Sequence, residues 1–207
     1  MQAQPTLAGR VVLASGNAGK LREFAELLAN TGFEFVRQLE LGIEPPPETG
    51  TTFLDNALIK ARNAARLTGL PAIADDSGIE VDALGGAPGV YSARYAGEGA
   101  SDEANLAKLL AALQGIPAAR RGARYRCVVV FVERFDDPHP LIGEGTWEGQ
   151  ILDGRRGSGG FGYDPSFLPR GESRTAAEMP SDEKHQYSHR GQALRAFVAA
   201  FGRRGQA

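Results

Sequence analysis

RVVLASGNAGKLREFAELLAN (Arg10–Asn30) contains a whole strand–turn–helix unit, and its reading decides the fold class. Arg10–Ser15 is a short β-branched run ending in small residues, the mark of a buried strand. The turn GNAGK follows. Leu21, Phe24, Leu27 and Leu28 then recur at helical spacing, with Gly32 placed to stop the helix. A strand passing into a helix through a tight glycine turn is an α/β building unit.

The rest of the chain extends the pattern. FEFVRQL (Phe33–Leu39) predicts a second strand. GIEPPPETG (Gly42–Gly50) cannot be regular structure, because three consecutive prolines remove donors and fix φ. A helix is predicted from Thr52, with Thr52 and Asp55 as a capping-box-like start and Gly69 as its stop. PAIAD (Pro71–Asp75) reads as a short buried strand, and Asp76–Gly99 as a long glycine-rich loop. Ser101 caps a further helix that carries Leu106, Leu109, Leu110 and Leu113 on one face. Arg124–Phe135 and Leu141–Leu152 predict two strands, antiparallel across Asp136–Pro140, followed by a loop over Gly154–Pro169. Leu194, Phe197, Val198 and Phe201 mark a closing helix. The expectation is one α/β domain over residues 1–207, with a mixed sheet, packed helices and an ordered core of about 11–201.

Bulk properties narrow the function. The 207 residues are 42% hydrophobic and 23% charged, with a net charge of −2. That is ordinary globular composition, and it gives no reason to expect nucleic acid or an anionic membrane as partner. Attraction for an anionic ligand must therefore be local. The single Cys127 cannot form an internal disulfide, which fits a reducing, cytoplasmic setting. The longest aliphatic run is about five residues, against the roughly 20 needed to span a bilayer.

Four stretches could carry chemistry. Ser15, Gly16, Asn17, Ala18, Gly19 and Lys20 join strand to helix, where backbone N–H groups and an ammonium suit an anion. This is not a P-loop, which needs four residues between its glycines and Ser or Thr after the lysine; a tight turn requiring glycine explains the same residues. Asp75 and Asp76 stand side by side after an apolar run. They could cap a turn, but Glu48 in the proline loop and Lys60 on the next helix, with Asn56 one turn earlier, suggest more. Glu48 and Asp76 could hold Mg²⁺, and a carboxylate beside the ion could take a proton from water. Metal charge would also relieve the repulsion within the acidic pair. GSGGFGYDP (Gly157–Pro165) offers Phe161 and Tyr163 for stacking on a flat heterocycle, or as core plugs. Lys184, His189 and Arg190 cluster where the last helix begins, and Arg190 could donate paired hydrogen bonds to a carbonyl-bearing edge. His185 reads as a surface residue.

LASGNAGKLREF, ETGTTFLDNALIKARNAA, PAIADDSGIEVDALGGAPGVYSARYAGE, GSGGFGYDP and SHRGQAL, in this order, resemble the inosine/xanthosine triphosphate pyrophosphatases from about Val11 to Phe201. The resemblance implies a long, twisted mixed β-sheet flanked by helices, two lobes with the active cleft between them, and a homodimer. It implies Mg²⁺-dependent hydrolysis of ITP, dITP, XTP and dXTP to monophosphate and pyrophosphate. Carried over by position, Ser15–Lys20 match the phosphate-binding turn, Glu48 and Asp76 the metal carboxylates, and Asp76 the proton acceptor. Lys60 matches a catalytic or triphosphate lysine and Ser77 a substrate contact. Phe161, Gly162, Tyr163 and Asp164 match the base loop, and Lys184, His189 and Arg190 the purine-edge reader. Ser15 stands where Thr is common, and PPPETG is richer in proline than in many members. The rivals are a pyrophosphatase of the septum-protein type acting on modified pyrimidine nucleotides, and a nucleotide sensor without turnover.

Overall fold

The computed structural model describes residues 9–28 and 33–204. Among the described residues there are six strands and five α-helices: β1 (Arg10–Leu13), α1 (Ala18–Leu28), β2 (Glu34–Arg37), α2 (Phe53–Thr68), β3 (Ala72–Val81), α3 (Asp102–Ala112), β4 (Gly122–Val132), β5 (Leu141–Ile151), β6 (Phe167–Pro169), α4 (Ser181–Tyr187) and α5 (His189–Arg204). The strands hydrogen bond in the order β2-β1-β3-β4-β5-β6. β1 runs parallel to β2 and β3, whereas β5 and β6 are antiparallel, so the sheet is mixed as expected. The proposed Gly32 stop and the packing of Leu27 lie outside the described residues.

The chain divides into two compact units. The first comprises residues 1–76, 127–145 and 190–207, and the second 77–126 and 146–189. Each has its own apolar core. In the first, Leu21, Phe24 and Leu28 of α1 and Ala193, Leu194 and Phe197 of α5 pack on alternate strand residues Val11, Leu13, Ile73, Cys127, Val129 and Phe131. The opposite register, Val12, Ala14, Ala72, Ala74, Val128 and Val130, is buried too, so these strands are covered on both faces. Val198, expected on the packed side of α5, is exposed instead. In the second unit, Leu106 and Leu109 of α3 and Leu113 just after it join Ile79, Val81, Tyr125, Trp147 and Phe167.

Local chemistry explains the helix ends. Thr52 Oγ1 accepts the Asp55 N–H at 3.1 Å and donates to Asp55 Oδ2 at 2.7 Å, fixing the start of α2. Gly69 ends it at φ 67°, a left-handed conformation that glycine adopts without steric cost. Ser101 caps α3 through the Ala104 N–H.

Two expectations need correction. The long loop from Asp76 does not begin there, because β3 continues to Val81. Ser77-Gly78 resembles a turn, but Ile79 and Val81 behind it alternate into the second core and hold the strand straight. The 154–169 loop ends in the short strand β6, which pairs with β5. The closing helix is α5, as expected, and a separate short helix, α4, precedes it, with Ser188 in extended backbone (ψ 155°) between them. Among the described residues no helix is long and apolar enough to cross a membrane.

Candidate active site

In the first unit, the acidic pair is resolved by strand geometry. Successive residues of β3 point to opposite faces, so Asp75 and Asp76 turn away from each other. Asp75 faces the side of α1 and α5: its Oδ2 lies 3.1 Å from Lys20 Nζ and 3.4 Å from an Arg190 guanidinium nitrogen. Arg190 also donates to Glu23 of α1. Asp76 faces α2: its Oδ1 accepts Lys60 Nζ at 2.8 Å and its Oδ2 the Asn56 amide at 3.3 Å. Lys60 Nζ reaches Glu48 Oε1 as well, at 2.9 Å. The direct ion pairs of the two neighbouring acids are thus made with different cations on different faces of the strand.

The electrostatics follow from burial. Burial alone would push the Asp75 carboxyl up, but Lys20, Arg190 and Lys60 hold it below the ordinary carboxylate range. For Asp76 burial wins over Lys60 and Lys20, and its pKa is raised. Burial opposes the Lys60 ammonium, yet Asp76, Asp75 and Glu48 outweigh it and raise its pKa. Lys60 is therefore a cation beside a carboxylate with enhanced basicity.

The Ser15–Lys20 turn differs from expectation in one respect. Asn17 Oδ1 accepts the Gly19 and Lys20 N–H groups at 2.8 and 3.1 Å, capping α1. Ser15 Oγ takes the Asn17 N–H at 3.3 Å. Those amides are engaged within the turn, while Gly16 and Asn17 remain exposed at its tip. A strand-to-helix turn read for its glycines hides this cap.

In the second unit, Asp164 is the hub. Its Oδ2 accepts Lys184 Nζ at 2.8 Å and the Phe161 N–H at 3.0 Å, and its Oδ1 accepts the Tyr125 hydroxyl at 3.1 Å. Lys184 Nζ also stands 5.2 Å from the Phe161 ring centre. His189 stacks on Tyr125, with ring centres 4.5 Å apart and planes 6° apart. Gly162 N–H donates to Asp102 Oδ2 at 2.8 Å. Phe161 is half-buried. Tyr163 is not a stacking face: it is buried in the core and donates its hydroxyl to the Ser92 carbonyl at 2.8 Å. Ser77 and His185 are half-buried.

The structure thus brings Glu48, Lys60 and Asp76 together, sets Lys20 on Asp75, and gathers Phe161, Asp164 and Lys184. Arg190, read as an edge reader, is 1% exposed and serves as counter-ion to Glu23 and Asp75. Sequence reasoning missed Glu23 and Tyr125. Both occupy regular positions in a helix and a strand, and only tertiary contact distinguishes them.

Comparisons with known proteins place the chain among its relatives. The model of the Ham1 family matches residues 11–200. A dITP/XTP pyrophosphatase of Methylococcus capsulatus is 62% identical over 184 residues, covering 89% of this chain and 92% of the relative. One from Yersinia pseudotuberculosis is 57% identical over 191 residues, covering 92% and 97%. Among solved structures, a HAM1 protein from Coxiella burnetii superposes with a TM-score of 0.87 at 47% identity, covering 94% of this chain and 98% of that one.

Proposed function

The chain belongs to the Ham1 family, and on that premise we propose that it hydrolyses dITP, XTP and the related ITP and dXTP to monophosphate and pyrophosphate. The observation that carries this reading is the convergence of Glu48, Lys60 and Asp76, three residues far apart in sequence, in a chain that matches dITP/XTP pyrophosphatases over most of its length.

The residues fit a hard divalent cation. On the α2 face of the strand Glu48 and Asp76 both pair with Lys60, so two carboxylates converge on one ammonium. Oxygen donors of this kind suit Mg²⁺, with Glu48 and Asp76 as its holders. Among the described residues no three His, Cys, Asp or Glu side chains form a ready metal cage, and substrate phosphate and water would supply the remaining ligands. Bound there, Mg²⁺ would offset triphosphate charge.

The chain's own groups do the rest. Asp76 orients a water and accepts its proton as the water attacks phosphorus and the bond to pyrophosphate breaks. Lys60, held as an ammonium, faces the charge that builds up on the phosphoryl oxygens, and Lys20 adds a second cation. Lys20 reaches substrate at the expense of its contact with Asp75. The Ser15–Lys20 turn and Ser77 contact the nucleotide. Base selection falls to Phe161, Gly162, Tyr163, Asp164, Lys184 and His189, with Phe161 supplying the aromatic face and Tyr163 supporting the loop from the core. In the same proposal the enzyme is a cytoplasmic homodimer, which light scattering coupled to size-exclusion chromatography tests.

Pyrophosphate release measured across ITP, XTP, GTP and ATP, with and without Mg²⁺, tests the function. Release from ITP and XTP that requires Mg²⁺ and exceeds that from ATP is expected. Saturable ITP binding without any release would make the protein a sensor instead.

The raised pKa of Asp76 gives a pH prediction. In the metal-free protein the Asp76 carboxyl, followed by NMR, should take up its proton above the ordinary aspartate value of about 3.9, and added Mg²⁺ should lower that point. A carboxyl that titrates at or below the ordinary value without metal would contradict the dominance of burial at this site.

A further inference from the structure

Asn56 stands in the first turn of α2 with its side chain fully buried. Both ends of its carboxamide are used. Oδ1 accepts the Gly50 N–H at 2.8 Å, and Nδ2 donates to Asp76 Oδ2 at 3.3 Å. The orientation is forced, because only the amide oxygen can face an N–H and only the nitrogen can face a carboxylate. Asp76 Oδ1 meanwhile takes Lys60 at 2.8 Å. Two residues one turn apart on α2 therefore hold both oxygens of the same carboxylate.

The circuit closes through the proline loop. Glu48 is bound by Lys60, and Gly50, two residues later, is bound by Asn56. Space admits no larger residue at Gly50: a Cβ there would stand 2.7 Å from Asn56 Oδ1 and 2.9 Å from its backbone nitrogen. The plainer role for Asn56, capping α2, is already filled by Thr52 on the Asp55 N–H.

We propose that Asn56 is a positioning residue for the hydrolysis, its carboxamide clamping the Glu48 loop and the Asp76 carboxylate in one fixed arrangement. The inference rests on the reaction proposed above. Ligating carboxylates need such outer partners, and removing them typically weakens metal binding or activity about 10- to 100-fold.

The test measures kcat, KM for dITP, and Mg²⁺ affinity of the nucleotide-free protein by calorimetry. Asn56→Leu keeps the approximate volume and deletes both hydrogen bonds; Gly50→Ala breaks the loop contact without touching Asp76. Each should lower kcat and weaken Mg²⁺ binding by about tenfold or more, with KM little changed at saturating Mg²⁺. Asn56→Ser, too short to bridge both partners, replaces Asn56→Leu if the latter does not fold. Folded variants that keep kcat and Mg²⁺ affinity within about twofold overturn the clamp, as does a lower melting temperature with all three constants unchanged. Asp76→Asn is measured alongside. If Asp76→Asn remains active, the reading of Asp76 as proton acceptor falls; if it is inactive beside fully active Asn56 and Gly50 variants, only the clamp does.

Discussion

Asp76→Asn is expected to lose about 10²-fold or more in kcat with dITP at saturating Mg²⁺, with KM for the nucleotide little changed. The substitution keeps the shape of the side chain and an oxygen for Lys60 or Asn56, so the local packing should survive. What disappears is the negative charge and, with it, the ability to take a proton from water. Asparagine cannot serve as a base at any working pH, and the loss should not be recovered by raising the pH. Lys60 would remain tethered to Glu48, which lies 2.9 Å away. The variant should therefore stay folded and still bind nucleotide, giving a kcat effect rather than a KM effect. Near-wild-type turnover would be incompatible with Asp76 as proton acceptor and would move the search to Glu48, the other carboxylate on Lys60.

The parts of the molecule that were legible from sequence are those governed by local rules. β1, the glycine turn and α1 follow from a β-branched run and a helical apolar stripe. The boundaries of α2 follow from Thr52, Asp55 and Gly69, whose caps depend on residues within a few positions. The convergence of Glu48, Lys60 and Asp76 was suggested by residue type, but its physical form was not. Period-two alternation along β3 sends Asp75 and Asp76 to opposite faces, and that was concealed by Ser77-Gly78, which looked like the end of the strand. Tyr163 carried the signature of a stacking residue in a glycine-rich loop. Its burial depends on Ser92, 71 positions away, which no local pattern reports. Asn17 shows the same limit at short range: its side chain competes for amides that a glycine turn was expected to leave open.

Arg190→Ala should cost about 3–5 kcal/mol of folding stability, the usual effect of removing one partner from a buried charge pair. Arg190 is the largest fully buried side chain, and it faces two carboxylates, Glu23 and Asp75. Without it, Lys20 and Lys60 are left to compensate Asp75, and Glu23 loses the buried guanidinium it accepts from. Against a typical total stability of about 5–15 kcal/mol, the change should move the midpoint of urea unfolding well outside error. The pH dependence has a definite sign. In the parent, Asp75 titrates below its unfolded value of 3.8, so it contributes stability that is present above that value and lost as pH falls through the depressed one. In the variant one of the three cations that hold the carboxyl down is gone, so its depression is smaller. The stability gap between parent and variant should therefore narrow as pH falls below the unfolded value of 3.8, where the contribution of the depressed carboxyl is lost. Replacing both acids as well, in Arg190→Met/Glu23→Gln/Asp75→Asn, should recover much of the loss, because the stranded charges rather than the missing contacts cause it. An Arg190→Ala protein with parental stability but lost preference for ITP over ATP would return Arg190 to the purine edge and leave Asp75 to Lys20.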